Sequence, residues 1–188
     1  MTAPSARKQR TREKILDSAL MLFRKSGIDG TGIDSVMKKS GLTAGGFYAH
    51  FKSKENLVVD VVDTALSQAA GRLRAAALET PADPARGLLD LYLSAKHRDN
   101  TASGCAIVAL STDLARRSPA VAEKIGEYLE RWIGFFMRNG YTRAQAVQQV
   151  ALAVGALSLA RMVKGQELSD EFLKAGIDSS QLLRKPSS

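Results

Sequence analysis

The 188-residue sequence predicts an all-α protein of about nine helices, with an amino-terminal three-helix domain ahead of a larger helical one. Three observations carry that prediction. Apolar residues recur at i, i+3, i+4 and i+7 along most of the chain, alternating β-branched runs are few, and cap residues paired with proline or glycine punctuate the apolar runs. A hydrophobic fraction of 45% is enough for an ordinary core.

The first helix, about 8–26, sets Leu16, Ala19, Leu20 and Phe23 on one face and stops at Gly27. Arg7, Lys8, Arg10, Arg12 and Lys14 crowd its opening turns. Cations there oppose the macrodipole, so an external anion explains them better than local stability does. Thr31, with Asp34 three residues on, reads as a capping box for a second helix with Ile33, Val36 and Met37 on its apolar face, ending at Gly41. Thr43 caps a third, very short helix containing Gly45 and Gly46. Phe47 and Phe51 are four apart and enter the core there, while Tyr48 and His50 look elsewhere. Ser53 caps a fourth helix that continues through Leu57, Val58, Val61, Val62, Ala65 and Leu66 toward Glu79, where Thr80-Pro81 and Asp83-Pro84 break it.

Asp83 and Pro84 open a fifth helix that runs to about Arg98, and a sixth covers about 103–116. Ser118-Pro119 opens a seventh, closed by Gly140. Thr142 and Gln145 form a second capping box for the eighth, which lasts to about Lys164. The ninth follows Ser169 and ends before the Lys185-Pro186-Ser187-Ser188 tail.

Charge is unevenly spread. Residues 1–54 hold 11 Lys+Arg against 4 Asp+Glu, so nearly all of the net +8 lies there. A local cation excess gains affinity for a polyanion by releasing condensed counterions, and a merely solubilising tail is the plainer alternative. Cys105 is the single cysteine and excludes an internal disulfide. The first residues lack the apolar stretch of a secretory signal, which makes the cytoplasm the expected location. The longest uncharged run, between Arg143 and Arg161, contains Gln145, Gln148 and Gln149 and falls short of the roughly 20 apolar residues that span a bilayer, so no membrane partner is expected. His50 and His97 are the only histidines, and neither has partners at metal-ligand spacing. No metal, no cofactor and no catalysis are expected, since Cys105 has no base arranged beside it beyond His97 eight residues earlier.

Three short helices, with the second and third joined by the tight Ser40-Gly41-Leu42 turn behind a basic arm, describe a helix-turn-helix. Gly45 and Gly46 lack Cβ atoms, which allows close approach to a groove at a cost of about 1 kcal/mol each. The segments TREKILDSALMLF, GIDGTGIDSVM and LTAGGFYAHFKSKENL resemble the DNA-binding domain of the TetR family of transcriptional regulators over about residues 9–57. The resemblance implies domains at 1–55 and 56–188, the first for DNA and the second for effector and dimer. It also implies that Thr31 and Thr43 offer hydroxyls and helix-start amides to phosphates. Tyr48, His50 and Lys54 become further backbone contacts, Arg12 joins the DNA-binding set, and Ala44, Gly45 and Gly46 face base edges. For Tyr48 the alternative is a core residue with a wet hydroxyl.

The same resemblance puts an effector pocket among the fourth to eighth helices, with Tyr92, His97, Cys105, Tyr128, Trp132, Phe135, Phe136 and Met162 as candidates. Taken singly, each reads as core before pocket; as a group they suggest an apolar or aromatic ligand. The Gly104-Cys105 context resembles a subset of the family in which this cysteine senses oxidants or electrophiles. A small buried hydrophobe is the plain alternative. A helix start favours a reactive thiolate, although no lysine of the sixth helix is near enough to hold one. The eighth helix, small-residued and almost uncharged, is expected to join the ninth in an intersubunit four-helix bundle, as the family pattern implies. Leu152, Gly155, Leu159, Phe172 and Leu182 fall at that interface; a central helix packed inside one subunit is the alternative.

The expected protein is a homodimeric repressor on a pseudo-palindromic operator, released by a small molecule or electrophile, with a tilt of the fourth helix as the lever. A redox or electrophile sensor acting through Cys105 and a nonspecific DNA binder are the alternatives. Activation instead of repression is open to either reading.

Overall fold

The computed structural model describes residues 3–101 and 104–183, and among them are nine α-helices, one short 3-10 helix and no strand. Helices α1 (Ala3–Ser26) and α2 (Ile33–Lys39) and the 3-10 helix (Ala44–Ala49) gather around the start of α3 (Lys54–Glu79). Helices α4 (Pro84–Tyr92), α5 (Ala95–Asp99), α6 (Ala106–Leu114), α7 (Pro119–Arg138), α8 (Arg143–Met162) and α9 (Glu167–Leu183) complete the chain. The all-α expectation holds.

Local chemistry explains most boundaries. Ser53 accepts from the Asn56 amide at 3.1 Å, Asp83 from the Arg86 amide at 3.2 Å, and Thr142 and Gln145 close both bonds of their capping box. The predicted core face of α1 is buried, with Leu16, Ala19, Leu20 and Phe23 all below 9% exposure. Phe47 and Phe51 are buried as expected, their rings stacked 5.6 Å apart, and each such side chain contributes about 1.5–3 kcal/mol by leaving water.

Four boundaries differ. Helix α1 begins at Ala3, earlier than the cationic turns suggested. Helix α2 begins at Ile33 with Gly32 at its cap and no side-chain capping bond, because the Thr31 hydroxyl donates backwards to the Gly27 carbonyl at 2.7 Å. The single helix expected from Pro84 to Arg98 breaks at Leu93 and Ser94. There Ser94 starts α5 by accepting from the His97 amide at 3.1 Å. Helix α9 begins at Glu167, and Ser169 lies inside it as a buried clamp whose hydroxyl donates to the Ala160 carbonyl of α8 at 2.7 Å. The Lys185-Pro186-Ser187-Ser188 tail and the predicted start of the sixth helix at 103 lie outside the described residues.

Helix α8 divides its two faces. Ala146, Ala153, Ala156 and Ala160 are buried within the chain, and a Cβ placed on Gly176 of α9 would lie 2.7 Å from Leu93 and 3.0 Å from Ala156. Small residues here let α4, α8 and α9 approach closely, so intrachain burial does not require larger ones as the sequence reading supposed. On the outer face Leu152, Leu159 and Met162 are exposed, Leu182 of α9 is 85% exposed, and a Cβ on Gly155 would meet nothing. Phe172 is partly buried against the core.

Candidate nucleic-acid interface and effector cavity

The turn after α2 explains why the short helix sits where it does. Gly41 has φ +68°, a left-handed conformation that costs little only for glycine. Its amide donates to Lys38 at 3.0 Å and the Leu42 amide to Met37 at 2.9 Å, the paired bonds of a Schellman cap. The chain is thereby turned into the 3-10 helix, which Phe47 anchors in the core at 0% exposure. Tyr48, one residue on, is 70% exposed, so its reading as a core residue is set aside. Thr43 and Ala44 are exposed, and Lys54 at the first turn of α3 is half-buried. Gly45 has open space where a Cβ would stand, so nothing inside the protein demands glycine at that position.

Two residues expected at DNA are occupied by the fold. Thr31 is 3% exposed and its hydroxyl is committed to Gly27, which corrects its assignment to a phosphate. Arg12 pairs with Asp60 of α3 at 2.5 Å and lies over the Phe51 ring at 5.1 Å, so its guanidinium holds α1 to α3. His50 is half-buried, and burial, followed by the charges of Lys8 and Arg12, lowers its pKa.

In the second half, a cavity of about 250 Å³ opens between α3, α4, α5 and α7. Four of the expected residues meet there: Tyr92, His97, Cys105 and Tyr128. Arg72, Leu73 and Lys96 also line it, although nothing in their sequence positions marked them. Trp132 stands edge-on to Tyr92 at 4.8 Å and lines, with Phe135, a separate open cleft of about 860 Å³ between α3, α4 and α7. Phe136 is 0% exposed and packs on Tyr141 at 5.2 Å, making it core, and Met162 is 76% exposed on the outer face of α8. Neither lines either of these two cavities.

His97 organises the cavity's edge. Its Nε2 accepts from the Cys105 amide at 3.1 Å, which assigns the proton to Nδ1, and Nδ1 donates to the Tyr92 carbonyl at 2.6 Å. The neutral ring thus ties the break after α4 to the start of α6. Burial lowers its pKa; the Tyr92 bond opposes that shift, and the charges of Arg161, Arg72 and Arg24 reinforce it. Burial also raises the Tyr92 and Tyr128 phenols above their ordinary value. Cys105 is buried at the cap position of α6, within electrostatic reach of Arg24 and Arg161. The cations missing from α6 itself therefore arrive from α1 and α8.

Arginines also stitch the cavity to the helix-turn-helix. Arg161 donates to the carbonyls of Arg98 at 3.2 Å and His97 at 3.0 Å, and Arg24 of α1 donates to the Gly104 carbonyl at 2.6 Å. Asp113 of α6 accepts from the Ile28 amide at 2.8 Å, Arg117 pairs with Asp29, and Glu55 of α3 accepts from the Ser118 amide at 3.2 Å. Among the described residues no group of three or more His, Cys, Asp or Glu is placed to hold a metal, and no helix is long and apolar enough to cross a membrane.

Residues 15–61 match the family described as "Bacterial regulatory proteins, tetR family". The uncharacterized HTH-type transcriptional regulator YxaF of Bacillus subtilis (strain 168) is 29% identical over 146 residues, covering 73% of this chain and 76% of that protein. The HTH-type transcriptional repressor KstR2 of Mycolicibacterium smegmatis is 30% identical over 83 residues, 44% of this chain and 40% of that one. Among solved structures, SCO4454, a TetR-family transcriptional regulator from Streptomyces coelicolor, superposes with a TM-score of 0.78 at 20% identity over 98% of both chains, which establishes the shared fold. With the helix-turn-helix geometry, the matched segment and the common architecture in agreement, residues 15–61 form a helix-turn-helix domain of the kind found in TetR-family transcriptional regulators, on a chain that shares their fold.

Proposed function

We propose that the protein is a cytoplasmic homodimeric repressor whose two 3-10 helices enter successive major grooves and whose filled cavity lowers operator affinity. The observation that carries this reading is the Arg24 bond to the Gly104 carbonyl, one residue before cavity-lining Cys105. A ligand that displaces His97 and Cys105 acts on α1 through that bond, and α1 carries α2 and the short helix with it. The lever is therefore shared: α6 and Arg24 act alongside any tilt of α3. A coupling of about 1–3 kcal/mol changes operator affinity about 5 to 150-fold.

Residues 1–55 read DNA and residues 56–188 hold effector and partner. Thr43, Tyr48, His50 and Lys54 meet backbone phosphates, Ala44, Gly45 and Gly46 face base edges, and Arg12 positions α1 without leaving Asp60. Leu152, Leu159 and Leu182, exposed and apolar, with half-buried Gly155 between them and Phe172 at their edge, form the face that a second copy covers. The name of KstR2 supports repression over activation.

Selection from random duplexes tests the DNA half: the expected product is a pseudo-palindrome with half-site centres about 34–36 Å apart. Recovery of unrelated sequences at equal affinity would favour the nonspecific reading. A second reading is supported by the cations around Cys105: alkylation or oxidation of that thiol releases the operator. Iodoacetamide labelling that leaves operator affinity unchanged removes it.

A further inference from the structure

The cavity has a charge that the proposed function leaves unused. Its rim carries two cations, Arg72 and Lys96, and no carboxylate among the described residues lines it. Its floor is apolar and aromatic, with Leu73, Tyr92 and Tyr128. One buried donor waits near it without a partner, Nη1 of Arg161, whose other nitrogens hold the carbonyls of His97 and Arg98, while the Tyr92 hydroxyl, on a side chain 2% exposed, stands against the Cys105 thiol. Buried polar groups without partners are uncommon and costly, and an anion at the cavity gives the Arg161 guanidinium a compensating charge. His97 supplies no free donor, because both ring nitrogens are engaged.

The geometry points to a small amphiphilic monoanion as the effector, a carboxylate on one aromatic ring system or a short aliphatic chain, with the acid group at Arg72 and Lys96 and the body against Leu73, Tyr92 and Tyr128. This inference rests on the cavity being the effector site, and it adds the ligand's charge. Size agrees with it: about 250 Å³ is the space of about eight waters at ~30 Å³ each, enough for a fused bicyclic acid and too little for a large lipid. Electrostatics agree as well. Arg24 and Arg161 stand behind the segment, burial pulls both below the ordinary arginine pKa, and the Arg72 charge pulls Arg24 further. A bound anion relieves that repulsion, whereas a neutral or cationic ligand does not.

The test compares matched pairs in the full-length protein, 2-naphthoate against 2-naphthamide and octanoate against octanamide, by quenching of Trp132, the single tryptophan, 4.8 Å from Tyr92. Thermal shift provides a second readout. At least one acid should bind roughly tenfold or more tightly than its amide, with the advantage lost in Arg72→Gln and reduced in Lys96→Gln. Both positions are exposed, so the variants keep the fold. The inference is overturned if amides bind as well as acids, if neither acid binds at millimolar concentration, or if the advantage survives the double variant. Operator affinity, measured separately by anisotropy, separates the two levels. An acid that binds selectively without releasing DNA sinks the effector reading alone; a neutral compound that fills the cavity and releases DNA sinks only the charge assignment.

Discussion

Gly41 and Gly45 stand four residues apart and carry different burdens. Gly41 needs its positive φ, so Gly41→Ala should cost about 1–2 kcal/mol in chemical denaturation and misplace the 3-10 helix. Gly45 has room for a methyl group, so Gly45→Ala should leave stability unchanged or raise it by up to about 1 kcal/mol. In a binding titration the same variant should weaken operator affinity; undiminished affinity would remove the close-approach role. The two histidines set a pH dependence. Both have native pKa values below 6.5, so below pH 6.5 the unfolded chain binds protons that the native rings refuse. Stability is fully present above pH 6.5 and should fall as pH drops from there through the lowered native values. His97→Gln should flatten part of that slope in urea midpoints measured between pH 7.5 and 5.

Among the elements, the proposed coupling runs from α5 and α6 to α1 through the Arg24 bond to the Gly104 carbonyl. Arg24→Gln removes the Gly104 contact while leaving the exposed face of the short helix and the cavity lining in place. It should therefore preserve operator binding, weaken ligand binding only modestly through the lost charge, and reduce the effect of ligand on operator affinity, read as a smaller ratio of the two dissociation constants. The break at Leu93 and Ser94 was partly legible, because serine is a good cap and His97 follows it by three residues. What hid it was the lack of any glycine or proline between Gly87 and Arg98 to mark a stop. The break holds because His97 takes the Tyr92 carbonyl that a straight helix would have paired internally, and the ring is steadied by an amide eight residues away. Capping explains the starts of α3, α4 and α8 from sequence alone, since donor and acceptor there are three residues apart.

For the molecule as a whole, the exposed apolar face of α8 and α9 should join two copies. Gly155→Glu places a charge in the middle of it, where no atom of the same chain stands within contact distance, so the monomer should fold normally and sediment as a monomer. Loss of specific operator binding should accompany it, because one copy presents one recognition helix. A dimer that survives the substitution relocates the interface.

The all-helical class, the helix-turn-helix with its basic surplus and the split of Phe47 from Tyr48 follow from short-range facts: periodicity, caps, a glycine with positive φ and the 100° turn between neighbouring helical residues. The cavity and its wiring do not. Arg24, Arg72 and Arg161 are far apart in the chain and meet around Cys105 only because α1, α3 and α8 pack there. Arg12 and Thr31 show the converse: basic and hydroxyl side chains in the matched motif look available for phosphate until folding supplies Asp60 and the Gly27 carbonyl. A residue's type limits what it can bond, and packing chooses which partner comes within reach.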